Sequence, residues 1–249
     1  MDRWGTKVNI QNTTVKHEYV FARTADSFGN LIRQFGDMCG PLQGSLHIPV
    51  DGSLTNLPVR DNFQTDQDWV SAYTQSLQDM VGMSRFPVKV FGLERDQPKM
   101  DGHRELTLSR NPDAKERYYT NMYGHPVAYY EPSRLSEPYY LLRRMTDVLS
   151  DILHFGSKPD EDIANSSYED RSDLIAGFLG LGLVRIKRND ASEIRDAALM
   201  RSTLLFLRAK KYTVEQIETI YGNILRREYS GLFDRALSQI KSRDVQSAA

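Results

Sequence analysis

Cys39 is the one side chain in this sequence that could act as a thiol nucleophile. It lies in the stretch GDMCGPLQG, and a thiol there needs a nearby base, for which His17 and His47 are the candidates. A lone cysteine is more often a buried packing residue, because its thiol behaves as a small apolar group. Catalysis by Cys39 is therefore the less favoured interpretation.

A second set of chemical groups lies on a predicted strand at 104–109. If that strand extends back to Asp101, then Asp101, His103 and Glu105 alternate onto one face, where they could bind a divalent metal or transfer protons. Gly102 weakens the strand prediction, and the sequence has no G-x-S-x-G, Walker A, H-E-x-x-H or paired C-x-x-C motif. We therefore assign no catalytic residue, metal site or cofactor, and we favour a protein that is not an enzyme.

The composition is that of an ordinary globular protein. The chain has 249 residues, of which 40% are hydrophobic and 26% are charged, and its formal net charge of -1 provides no overall field to attract nucleic acid or an anionic membrane. A single cysteine excludes an internal disulfide. The N-terminus has no apolar core of a secretory signal and no run of about 18 apolar residues occurs, so we expect a cytoplasmic protein without membrane partners.

The predicted strands and helices that would position Cys39 and the residues at 101–105 indicate an α+β protein. Strands at 15–22, 86–93 and 104–109 and helices near 26–35 and 65–81 indicate an N-terminal domain, 1–135, with a mixed or antiparallel sheet and two helices. Helical patterns dominate the rest, which predicts a helical domain at 136–249.

Two long helices at 189–230 form the predicted centre of the helical domain. The first is apolar around most of its circumference, which is typical of a helix surrounded by other elements. In the second, apolar residues recur at three- and four-residue spacing, which predicts one inward face. That face comprises Val214, Ile217, Ile220, Tyr221, Ile224 and Leu225.

Tyrosine and proline are concentrated between positions 118 and 140. Tyrosine buries a large area at low entropic cost and keeps a polar tip, and proline stiffens an extended chain, so this segment could be a preformed docking surface for a protein. It could equally be an ordered linker that wraps the core. The candidate interaction residues are Tyr118, Tyr119, Tyr123, Tyr129, Tyr130, Tyr139 and Tyr140.

The stretch LGLVRIKR, at the end of a helix–helix–turn order in 137–190, resembles the end of the recognition helix and the basic wing of bacterial winged-helix regulators. The resemblance implies a winged-helix-like module, with a short strand at 183–187, that contacts nucleic-acid phosphates. Two acids, Glu169 and Asp170, open the candidate recognition helix and would repel phosphates. The phosphate contacts would be Arg171, Arg185, Lys187 and Arg188.

These patterns lead to one favoured function and one alternative. The favoured function is a non-catalytic intracellular interaction protein, an adaptor or assembly subunit, that docks a protein partner or a second copy of itself. Docking would use the tyrosine segment or the outer face of the helix at 213–229. The alternative is a nucleic-acid-binding regulator built on the module at 137–190.

Overall fold

The computed structural model describes residues 25–49, 54, 56–93, 99–101, 104–106, 119–120, 126–156, 168–186 and 193–247. In these ranges the chain has a helix-rich α+β fold, which confirms the predicted fold class at that level. The strand predicted at 15–22 lies outside the described residues.

The N-terminal half contributes two helices. Helix α1 covers residues 25–35, and helix α2 runs from Asp66 to Met80. Thr65 caps α2, because its Oγ1 accepts a hydrogen bond from the amide of Asp68 at 3.1 Å. Gly82, with φ of 79°, follows the helix end in the left-handed conformation that glycine adopts without strain. The predicted helix at 65–81 is therefore confirmed.

Two small sheets accompany these helices. Strand β1 (Lys89–Gly92) pairs in parallel with β5 (Pro126–Tyr130), which also pairs antiparallel with β4 (Tyr119–Thr120). The first sheet is thus mixed, as predicted. Strands β2 (Lys99–Asp101) and β3 (Arg104–Leu106) form an antiparallel pair of their own.

The β2–β3 pair corrects one prediction. The chain reverses between Asp101 and Arg104, which are partners in the antiparallel register, so Asp101 and Glu105 lie on different strands. The proposed alternation of Asp101, His103 and Glu105 along one extended strand is therefore wrong. His103 itself lies outside the described residues.

The helical half begins with α3 (Tyr140–Gly156) and α4 (Tyr168–Phe178). Then follow the short α5 (Gly182–Arg185), the long α6 (Glu193–Ala209) and α7 (Val214–Ser247). Helix α6 packs against α4, α5 and α7, and its side chains are buried on several sides. The prediction that this helix is central is confirmed.

The short helix α5 replaces the strand predicted at 183–187. Its four residues are all buried, so this segment has no solvent face for the alternating pattern of a half-exposed strand. The amide of Val184 donates to the carbonyl of Leu181 at 3.0 Å, which continues a helical turn after Gly180. The strand prediction is therefore wrong for residues 183–185.

Helix α7 is in fact a hairpin of two helical arms. Tyr229 has non-helical dihedral angles, φ -139° and ψ 31°, and divides a first arm at 214–228 from a second arm at 230–247. Lys241 Nζ lies 3.0 Å from Glu218 Oε2, although the two residues are 23 positions apart. A straight helix would separate them by about 34 Å at 1.5 Å per residue, so the second arm must fold back along the first.

One continuous hydrophobic cluster joins the two halves of the chain, from Phe28 in α1 to Ile240 in the second arm. Phe28 meets Phe178 edge to face at 5.7 Å between ring centroids. Lys210 Nζ, at the end of α6, donates to the carbonyls of Pro41 and Gly44 at 3.0 and 2.8 Å. The division into two domains near residue 135 stays a prediction.

Candidate functional site

The tyrosine segment contributes mainly to the core where the structure describes it. Tyr129 and Tyr130 lie in β5, each with 2% of its surface exposed, and Tyr140 is buried at the start of α3. The hydroxyl of Tyr140 accepts a hydrogen bond from the amide of Glu131 at 2.7 Å. These three residues were predicted to bind a partner. Their burial leaves them no surface to offer to one, because a polar hydroxyl with an internal partner lets the whole ring pack inside.

Of the other four tyrosines, the structure describes the side chain of Tyr139 alone. Tyr139 is half-buried with φ of 65°, and the guanidinium of Arg143 lies 5.3 Å from the centre of its ring. The backbone of Tyr119 pairs with Val127, but its side chain is outside the described residues, as are Tyr118 and Tyr123. A docking role for these residues stays a prediction.

Of the four predicted phosphate contacts, the structure describes the side chain of Arg185 alone, and that side chain points inward. Arg185 is 7% exposed and donates from Nη1 to Asp173 Oδ1 and from Nη2 to Ser172 Oγ, both at 2.8 Å, and also to Asp147. A guanidinium held by two carboxylates and a hydroxyl is not available to a phosphate, so the predicted phosphate contact by Arg185 is wrong. The side chain of Arg171 and all of Lys187 and Arg188 lie outside the described residues.

Ion pairs among four charged residues connect helices α3, α4, α5 and α6. Arg195 donates to Asp173 from Nε at 2.5 Å and from Nη2 at 2.9 Å, so one buried carboxylate holds two arginines. Asp147, Asp173, Arg185 and Arg195 come from α3, α4, α5 and α6. We call these four residues the buried ion cluster after its two buried members, Asp173 and Arg185; the side chains of Asp147 and Arg195 are partly exposed. The cluster connects the four helices where they meet.

Cys39 and His47 do not form a reactive pair in this fold. Cys39 is fully buried, and burial raises the pKa of its thiol to about 12, so the thiolate needed for attack is scarce near neutral pH. Burial lowers the pKa of His47, which keeps its ring neutral, and its Nε2 lies 3.4 Å from the carbonyl oxygen of Met80. Burial therefore argues against a nucleophilic role for Cys39. His17, the other candidate base, lies outside the described residues.

His47 does line an open cleft of about 370 Å³, between the extended residues 45–48 and Met80 at the end of α2. Leu54 and Asn56 complete its described wall. None of the described residues that line this cleft is a carboxylate, lysine or arginine. The described part of the chain contains no group of three or more metal-ligating side chains.

The surface feature that stands out is the outer face of the first hairpin arm. Residues 213–228 are all described, and seven of them are exposed. One, Glu215, lies about 140° from Ile220 around the helix, where it interacts with Lys241 of the second arm. The other six are Thr213, Gln216, Thr219, Ile220, Asn223 and Arg227. Five of these six are uncharged, and Arg227 is paired with Glu228 at 3.0 Å. We call this set the outer face. Interface centres are depleted in charged residues in the same way.

Ile220 lies in the middle of the outer face with 55% of its surface exposed. The sequence pattern had placed it with the inward residues, and that prediction is wrong. At about 100° per residue, Ile220 falls about 120° away from Val214, beyond the edge of the buried stripe. This angle was the signal in the sequence that could have identified an exposed isoleucine.

Two other features lie close to the outer face. Tyr212, in the turn before α7, packs edge to face against Tyr221 at 5.8 Å, and burial raises the pKa of Tyr221 to about 12. Leu42, 53% exposed, lies in the loop whose carbonyls accept from Lys210, immediately before the same turn. A half-buried aromatic pair thus lies at the turn between α6 and α7, and the exposed Leu42 lies in the loop that Lys210 contacts.

Comparison with known proteins finds no matching family model, no curated protein and no solved structure. Among the described residues, no helix combines the length and apolar character needed to cross a bilayer. The functional conclusion below therefore rests on the geometry of this chain alone.

Proposed function

We propose that this chain is a non-catalytic interaction protein, an adaptor or assembly subunit, that docks a protein through the outer face of its C-terminal hairpin. The single observation that carries the proposal is Ile220, more than half exposed at the centre of a helix face with almost no charge. Burying the exposed part of this side chain in a complex contributes about 1–1.5 kcal/mol.

The inner side of the same arm supports the proposal. Val214, Ile217 and Leu225 are buried against the chain itself, so the arm is anchored without help from Ile220. Ion pairs join the arm to the second arm, from Arg226 to Asp234 at 2.9 Å and from Lys241 to Glu218 at 3.0 Å. A rigid helix presents its outer residues in a fixed geometry, which lowers the entropic cost of binding.

Site-specific photo-crosslinking in the cells that express the chain tests the proposal. A photoreactive phenylalanine analogue at position 223 lies on the outer face, and the same analogue at position 238, exposed on the second arm, is the matched control. We expect one defined protein product from position 223 and none from position 238. Adding Ile220→Asp should remove that product, since a carboxylate opposes burial.

Two results would contradict the proposal. Equal yields of crosslinked product from positions 223 and 238 would show that the partner does not bind preferentially to the outer face. A product at position 223 that persists in the Ile220→Asp variant would show that Ile220 takes no part. Circular dichroism and thermal melting of each variant establish that the chain remains folded.

The alternative function is a nucleic-acid-binding regulator with a winged-helix-like module at 137–190. It has less support, because Arg185 is committed to the buried ion cluster and the predicted wing strand begins as helix α5. Titration of the full chain with a random DNA duplex tests it. Binding that weakens steeply with added salt would favour it, and absence of binding at low salt would remove it.

A further inference from the structure

We infer that the occupant of the outer face is a second copy of the same chain, related by a two-fold axis that passes near Ile220. This inference rests on the proposed function and names its partner. A two-fold dimer brings the same patch of both subunits together, so the patch must be complementary to itself. The first arms would then lie antiparallel, with Ile220 of each copy at the centre.

The hydrogen-bonding groups of the outer face meet this requirement. Gln216 and Asn223 carry amides that both donate and accept, and the hydroxyl of Thr219 does the same. In an antiparallel copy centred on Ile220, Gln216 of one chain approaches Asn223 of the other, and their amides can bond to each other. A surface of lysines or glutamates cannot, because ammonium groups only donate and carboxylates only accept.

The charges of the outer face also favour a second copy of the chain as its occupant. Like charges that meet across an interface are destabilising, and the outer face contains one charged residue, Arg227, at its C-terminal end. Glu228 already pairs with that arginine at 3.0 Å. In the antiparallel arrangement about Ile220, Arg227 approaches Thr213 of the second copy and not another arginine. The outer face can thus meet itself without electrostatic conflict.

The area of the outer face limits the affinity that we expect for the dimer. The first arm is about 22 Å long at 1.5 Å per residue, so one face of it on each copy buries less than the roughly 1,600 Å² of a standard interface. We therefore expect a reversible dimer with a dissociation constant of about 10 µM or weaker.

Sedimentation velocity of the purified full chain measures this directly. The mass should rise from 28.6 kDa towards twice that value as the concentration increases from about 5 µM to about 500 µM. Ile220→Asp places two carboxylates on the axis, and Asn223→Arg removes the amide that faces Gln216 and adds one positive charge from each copy near the axis. Each variant should weaken the dimer at least about tenfold. Ser238→Asp on the second arm should dimerise like the unmodified chain.

A chemical crosslink locates the contact independently. Cys39 is the only cysteine and is fully buried, so a cysteine introduced at the surface is the single reactive thiol. A short bis-maleimide should join two Asn223→Cys chains and leave Ser238→Cys chains monomeric.

The outcomes separate this inference from the proposed function. A chain that stays monomeric at about 500 µM, or a dimer that Ile220→Asp does not weaken, overturns the second copy as occupant. If position 223 nevertheless crosslinks to a different protein in cells, the proposed function stands and this inference alone fails. If no product forms in cells and no dimer forms in solution, both fail.

Discussion

The region around α5 buries an arginine, whereas the first arm of the hairpin leaves an isoleucine in solvent. Arg185 is 7% exposed and Ile220 is 55% exposed. The cost of burying a guanidinium is offset by its contacts with Asp173, Ser172 and Asp147. Ile220 has no comparable compensation within the chain, so the exposed isoleucine favours a role at a contact with another molecule, while the buried arginine serves the fold.

Thiol reactivity should show the largest difference between the buried core and the outer face. Burial raises the pKa of Cys39 to about 12, whereas a cysteine placed at position 223 on the outer face is open to solvent. At pH 8 the introduced thiol should react with a maleimide at least about 1,000-fold faster than Cys39 in the folded chain. Mass spectrometry of timed labelling measures both rates. Comparable rates would mean that the core around Cys39 opens readily.

Removing the shared carboxylate of the buried ion cluster should have the largest effect on stability. Asp173→Ala leaves the buried Arg185 with Asp147 as its remaining carboxylate partner in the cluster and removes the carboxylate that holds Arg195, so it should lower the free energy of unfolding by about 3–4 kcal/mol. Glu228→Ala, which removes the partner of the exposed Arg227, should cost about 1 kcal/mol or less. Urea denaturation of the unmodified chain and of the two variants measures the free energies of unfolding. An equally small loss of stability in both variants would show that the ion pairs of Asp173 contribute no more than a surface pair.

Two truncations on the first arm compare its inner and outer sides. Leu225 is fully buried, so Leu225→Ala should lower the free energy of unfolding by about 3 kcal/mol. Ile220→Ala should change it by less than about 0.5 kcal/mol at concentrations where the chain is monomeric. A large loss at Ile220 would indicate that this side chain supports the fold and would remove the contrast on which the proposed function depends.

The smallest effect concerns the ion pairs that join the two arms. The hydrogen bond from Arg226, followed by that from Lys241, lowers the pKa of Glu218 below its usual value. Its contribution to stability is therefore complete above the unfolded pKa of about 4.3 and is lost as the pH falls through the lower folded pKa. The difference in unfolding free energy between the unmodified chain and Glu218→Gln should be constant near neutral pH and shrink below about pH 4. A difference that grows on acidification would contradict this assignment.

Much of the helical framework was predictable because it depends on local signals. Thr65 and Gly82 mark the ends of α2 through a side-chain cap and a left-handed glycine, which act within a few residues. The apolar circumference of α6 predicted a surrounded helix for the same reason. The sites were less predictable. Tyr129 and Tyr140 have a composition that suits a docking surface and a core equally well, and only their neighbours place them inside.

The sequence by itself determined the helix-rich α+β class, the central position of α6 and the presence of an apolar stripe on the first arm, because these follow from periodicity and capping along short stretches. Only the tertiary structure decided that Arg185 points inward and that α7 folds back at Tyr229. Arg185 turns inward because carboxylates from two other helices, α3 and α4, converge on it. The reversal brings Lys241 to Glu218, a contact between residues 23 apart that no local pattern contains. Ile220 is exposed for the same physical reason: the second arm and α6 together cover only part of the first arm, and the remaining side is left for solvent or for a partner.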